Sequence, residues 1–196
     1  MAAPIKLNLK VYQGSTFKQI LRWESATKVY VPITNITKSA PIVITAPAHG
    51  VPVGWRARVT NVNGMKEVNL LDYNIATSTT TDTVTFNQVN SLAFTTYTTG
   101  GVLEYNQPAS IASLRARMQI REKLTSSTFI HEMTTDNGGI VFDNTAKTIT
   151  LFIDDTTTAG FSFTSAVYLL EFENVNTGET TPFAKGSVSL ELEVTR

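Results

Sequence analysis

The side chains able to do chemistry are few and scattered. The 196-residue chain has two histidines, His49 and His131, and no cysteine. Either histidine could serve a Ser-His-Asp site only if folding brought the partners together, because a triad is defined by geometry and not by chain order. His49 stands between Ala48 and Gly50 in a Pro/Gly-rich turn. Its expected work there is to shape a loop or to meet a partner. Asp154-Asp155 and the loop 136–143 offer hard oxygen ligands, yet neither has the spacing or closing glutamate of a calcium loop. Both are expected to be solvated turns. Gly100-Gly101 lacks the Lys-Ser/Thr of a phosphate-binding loop. No catalytic, metal or cofactor set emerges, so the expectation is a non-enzymatic protein without a cofactor.

The densest chemistry is cationic. In the stretch 114–123, Leu114, Ala116, Met118 and Ile120 alternate with Arg115, Arg117, Gln119 and Arg121. Strict period-two alternation is the pattern of a half-buried β-strand, with its arginines on the outward face. That stripe could meet DNA phosphates or an acidic partner. It could instead pair with Glu191 and Glu193 of the last strand, as cross-strand charges worth about 0.2–1 kcal/mol each. Internal pairing is favoured, an acidic partner comes next and DNA last. Sixteen Lys and Arg balance sixteen Asp and Glu, without the positive excess of a nucleic-acid binder. A neutral chain is also less protected against self-association, which an assembly subunit tolerates.

The elements that must hold these residues are strands throughout. Hydrophobic residues make up 42% and charged residues 16%, a globular composition. Thr is abundant, and β-branched residues suit pleated strands. The apolar runs fall short of the roughly 18 residues of a membrane span. The N-terminus shows no secretory apolar core and reads as a strand over 5–11. Further strands are expected at 17–23, with a polar connector at 24–28, and at 29–33. The last strands are 167–172 and 185–194, the first of them preceded by a strand at 126–133. Ile140–Phe142 and Ile149–Ile153 read as a hairpin. A single helical turn is expected over 154–160, capped by Asp155 or Thr156. The stretch 114–123 is expected to be the central strand of the main sheet.

Between the second of these strands and 114–123 lies a segment of different character. Short strands at Ile42–Thr45, 56–60, 68–75 and 81–86 are punctuated by Asn63-Gly64, a strong turn signal, and closed by Gly100-Gly101. Its flanks resemble one another: Pro32-Ile33-Thr34-Asn35-Ile36-Thr37 before it, Pro108-Ala109-Ser110-Ile111-Ala112-Ser113 after it. Exposed turns tolerate inserted domains best. The expected architecture is all-β: an Ig-like sandwich from 1–37 and 106–196, interrupted by a small β-barrel over 38–105.

With that segment set aside, Gln13, Gly14, Phe17, Trp23, the strand 116–121, Gly186 and the end 193–196 form an order that resembles a family of small virion proteins of tailed bacteriophages. The inserted segment carries 42–44, Ala48-His49-Gly50, Gly54, Arg58, Gly64-Met65, Asn69 and 97–101. It resembles a short β-barrel repeat of phage tail and fibre proteins, itself similar to the first catalytic-cysteine half-domain of ubiquitin-activating enzymes. Without cysteine or an adenylation motif, that chemistry is not implied. The resemblance implies a structural component of the virion, in the tail, neck or collar, assembled in the host bacterial cytoplasm. It implies contacts with copies of itself and with other virion proteins. Neither a small-molecule substrate nor a membrane is expected, and nucleic acid is disfavoured. The residues expected at partner contacts are Arg115, Arg117, Arg121, His49 and Tyr97. The alternative is a capsid decoration or glycan-binding module, which would show exposed Tyr73, Phe94 and Tyr97 together at one barrel end.

Overall fold

The computed structural model describes residues 4–193, so the expected match at 194–196 lies outside the described residues. The chain is all-β. It opens with β1 (Ile5–Lys6), β2 (Leu9–Tyr12) and β3 (Phe17–Leu21). Then come β4 (Glu24–Pro32), β5 (Asn35–Ile36), β6 (Ile42–Thr45), β7 (Arg56–Asn63), β8 (Asn74–Ile75), β9 (Ser78–Thr79), β10 (Thr83–Phe86) and β11 (Thr99–Pro108). The remainder is β12 (Leu114–Arg121), β13 (His131–Thr134), β14 (Ile140–Asp143), β15 (Thr148–Ile153), the short helix α1 (Asp155–Ala159), β16 (Ser165–Asn174) and β17 (Thr180–Glu191). The chain divides into two units: residues up to 22 with 110–144 and those from 148 on, and Trp23–Ala109 with Thr145–Lys147.

The first unit is a sandwich of two sheets. One has the order β1-β17-β16-β12-β13, with β2 also on β17, and the other is β14-β15-β3. Alternation built these strands as the sequence demanded. Met118 and Ile120 of β12 are buried, as are Leu170 and Phe172 of β16 and Val188 and Leu190 of β17. Phe172 joins the layers, meeting Phe142 of the smaller sheet edge-on at 5.6 Å and stacking on Phe183 at 4.5 Å. β12 is interior but lies next to the edge strand β13, and the middle position of the large sheet is held by β16. The strand expected over 126–133 is confined to β13. Asp154, rather than Asp155 or Thr156, caps α1, accepting from the Thr157 N–H at 2.7 Å.

The N-terminal strands lie parallel to β17, and Gly186 is what lets them approach. A Cβ at Gly186 would sit 2.0 Å from the Leu7 carbonyl oxygen. That atom is backbone and already accepts the Tyr168 hydroxyl at 2.7 Å, so it cannot step aside. Gly186→Ala is expected to cost about 3 kcal/mol, the upper end of overpacking. Urea denaturation checks this, and a loss below 0.5 kcal/mol, within the range of ordinary surface substitutions, would show that β1 and β2 are not seated there.

The second unit consists of two four-stranded sheets, β5-β6-β10-β9 and β4-β11-β7-β8. They are separate ladders, not the single closed ladder of the barrel expected over 38–105. Between them lies a core that includes Ile42, Ile44, Trp55, Met65 and Leu103. Trp55, fully buried, donates its indole N–H to the Asn106 carbonyl at 2.7 Å, as a buried indole must. The unit begins at Trp23, earlier than expected, because 24–28 is not a connector. It is the start of β4, which pairs with β11 from Val102↔Pro32 to Pro108↔Glu24. Two further expectations fail locally. The stretch 68–75 is a 3-10 turn over Lys66–Leu70 followed by β8. Gly100 and Gly101 do not close the segment but lie inside β11, with φ of +76° and +98°. Gly101 needs to be glycine because a Cβ there would meet the Val62 Cγ2 at 2.5 Å.

Candidate functional site

The most elaborate polar arrangement was not anticipated. Glu104, at the centre of β11, is 3% exposed. β11 runs between β4 and β7, so Glu104 receives Lys28 Nζ from one side and the Arg58 guanidinium from the other. Arg58 donates Nε and Nη2 to Oε2 at 3.1 and 2.9 Å, and the Tyr73 hydroxyl donates to Oε1 at 2.9 Å. The Arg56 and Arg58 guanidinium carbons lie 5.3 and 5.2 Å from the Tyr73 ring centre, within cation–π range. Arg56 also forms a two-pronged pair with Glu24 at 2.7 and 2.6 Å. Burial opposes ionisation of Glu104, but bonds from Lys28, Arg58 and Tyr73 together outweigh it and hold its pKa at about 2. A carboxylate so saturated with donors is a poor base. It acts as an anchor that locks three strands in register. The sequence held one signal for it, a lone glutamate inside the apolar run Val102-Leu103-Glu104-Tyr105, since a buried carboxylate requires partners.

Among the expected contact residues, the arginine stripe does form on the outward face of β12. Its partners are different. β16 separates β12 from β17, so the last strand's glutamates are out of cross-strand reach. Arg115 stands opposite Glu173 and Arg117 opposite Glu171, with 3.6 Å between the Arg117 and Glu171 charges. Arg121 bends back: Nη2 donates to Gln119 Oε1 at 2.6 Å, Nη1 donates to the Ser126 carbonyl, and the Gln119 amide donates to Glu132. Beside this stripe runs an open groove of about 190 Å³, lined by Arg117, Gln119, Arg121, Leu124, Leu169 and Glu171. Leu124 is 86% exposed in it.

His49 and Tyr97 belong to the second unit and are turned inward. His49 is 2% exposed; its Nδ1 accepts the Val51 N–H at 2.9 Å, and Nε2 lies 3.1 Å from the Thr83 carbonyl. With Nδ1 accepting, Nε2 is left to donate to the Thr83 carbonyl, and the ring latches its loop. That satisfies the loop-shaping expectation and leaves no face for a partner. The Tyr97 hydroxyl donates towards the Gly100 carbonyl at 3.0 Å and the Ile33 carbonyl at 3.2 Å, and its ring packs on the core. Phe94 packs on the same core while Tyr73 serves Glu104, so these three aromatics do not form one exposed patch.

In the first unit, His131 lies edge-on to Phe161 at 5.8 Å. Burial lowers its pKa, against the pull of Asp154 and Glu132. Asp154 is committed to Thr157 as a helix cap, and no group of three potential metal ligands forms among the described residues.

No family model matches the chain, and no curated protein matches it significantly.

Proposed function

We propose that this chain is a structural protein of a tailed-phage virion, a tail, neck or collar component that works through protein–protein contacts in a symmetric assembly. The observation that carries the reading is where the residues of the resemblance fall. Phe17 is buried in β3, and 116–121 is β12 itself. Gln13 donates to the Phe161 carbonyl at 2.9 Å and accepts the Glu193 N–H at 3.2 Å. Gly14 turns the chain at φ +71°, and Gly186 seats the N-terminal strands. Of the residues that carry the resemblance, Gln13, Gly14, Phe17, 116–121 and Gly186 thus lie in the sandwich and help to fix it, whereas Trp23 opens the second unit; this supports a resemblance carried by the scaffold. Its outward face adds the means of contact: the arginine stripe and the exposed Leu124 beside it.

Cryo-electron microscopy of particles assembled with this chain is the direct test. Density fitting the sandwich at a repeated, symmetry-related position is the expected result. Particles of normal composition lacking the protein, or turnover of a substrate by the purified chain, would overturn the reading.

A further inference from the structure

The large sheet has two edges, and the structure treats them differently. At the β13 edge the Asn137 side chain takes the place of a neighbouring strand. Its Oδ1 accepts the Thr134 N–H at 2.8 Å and its Nδ2 donates to the Glu132 carbonyl at 3.0 Å. Those two groups are the ones an added strand would need, so this edge is closed.

The opposite edge is open. Leu7 and Gln13 donate their N–H groups to the carbonyls of Lys185 and Glu191, at 3.0 and 2.8 Å. With Ile5 opposite Ala184 and Val11 opposite Leu190, odd-numbered residues turn their backbone towards β17. Lys6, Asn8 and Lys10 therefore present N–H and C=O groups outward, and among the described residues nothing pairs with them on that side. A run of alternate free donors and acceptors is a template for a further strand.

The charges on this edge define what fits. Lys6 lies directly opposite Lys185, both exposed, an arrangement that is unfavourable in isolation. Among the described residues neither ammonium has a carboxylate within ion-pair distance. Lys10 meets Glu191 at 2.6 Å, with both side chains about half exposed, so the uncompensated charge resides on Lys6 and Lys185. A second copy is the wrong occupant. Antiparallel pairing of two such edges about Asn8 would set Lys6 against Lys10 of the other copy, adding like charges to like charges.

We propose that the β1–β2 edge binds an extended, acidic segment of another polypeptide, which adds as an outer strand and places carboxylates over Lys6 and Lys185. It rests on the assembly reading above only in supposing that the partner is another component of the particle. Fluorescence anisotropy with the full chain and a labelled peptide of alternating Val and Glu tests it independently of any particle. Saturable binding is expected, weakened at least about tenfold by Lys6→Glu together with Lys185→Glu and weakened by added salt. Both lysines are exposed, so the variant should melt like the parent. Methylating alternate backbone nitrogens of the peptide should abolish binding, because strand addition depends on main-chain donors. Equal binding of a Val/Lys peptide, indifference to N-methylation, or no saturable binding would each overturn the proposal while leaving the particle reading untouched.

Discussion

Glu104→Ala should destabilise the second unit by about 3–5 kcal/mol, the cost of removing one partner from a buried charge network. The substitution leaves Lys28 and Arg58 facing each other across an empty site, and it strips the Tyr73 hydroxyl of its acceptor. Both tryptophans of the chain, Trp23 and Trp55, belong to this unit. Tryptophan fluorescence in urea therefore reports its unfolding directly. The same network sets an acid limit. A carboxyl group whose folded pKa lies below its unfolded value stabilises the fold above the unfolded value and loses that contribution as pH falls through the folded one. For Glu104 the window runs from 4.5 down to about 2, and the contribution at stake is about 3 kcal/mol. The parent should lose stability across that window, and Glu104→Gln, already without the charge, should show a flatter profile. An unchanged profile in the Gln variant would mean that Lys28 and Arg58 do not hold the carboxylate as described.

Met118→Asp should disrupt the sandwich by more than about 4 kcal/mol or prevent its folding. Met118 is 0% exposed on the inward face of β12. An ionised carboxylate there has neither partner nor water, and such burial populates the extreme tail of point-mutation effects. Arg117→Asp, one residue away, reverses an outward charge instead. It loses an exposed pair worth about 0–1 kcal/mol and sets a carboxylate beside Glu171, a further few tenths to 1 kcal/mol. Calorimetry of the two variants should therefore give a missing or strongly lowered transition for Met118→Asp and a small shift for Arg117→Asp. Similar losses would contradict the assignment of faces.

Period-two alternation made much of this legible in advance. It placed β12 with its correct faces, because a strand half in water must alternate whatever surrounds it, while short apolar and β-branched runs between turn residues located β6, β10 and the β14–β15 hairpin. It misread 24–28, where a polar, mostly exposed strand carries no apolar signal and owes its form to backbone pairing with β11. It misread Gly100-Gly101 as well, since glycines that permit a left-handed backbone inside a strand look in sequence like a turn. Leu192 continued the alternation of β17 yet is 63% exposed, because pattern does not record where the core ends.

From the sequence alone come the all-β class, the inward and outward faces of β12, and a segment of different character between two parts of a sandwich. Those follow from short-range chemistry: side-chain alternation, β-branching and turn residues. Which strands are neighbours is set by tertiary packing alone. It gave Arg117 to Glu171 and Glu191 to Lys10, gathered Lys28, Arg58 and Tyr73 around Glu104, closed one edge of the sheet with Asn137 and set Lys6 against Lys185 at the other. Apart from the Asn137 bonds, which span three and five residues, each of these joins residues far apart in the chain, and strand order follows from how whole faces pack and not from any local propensity.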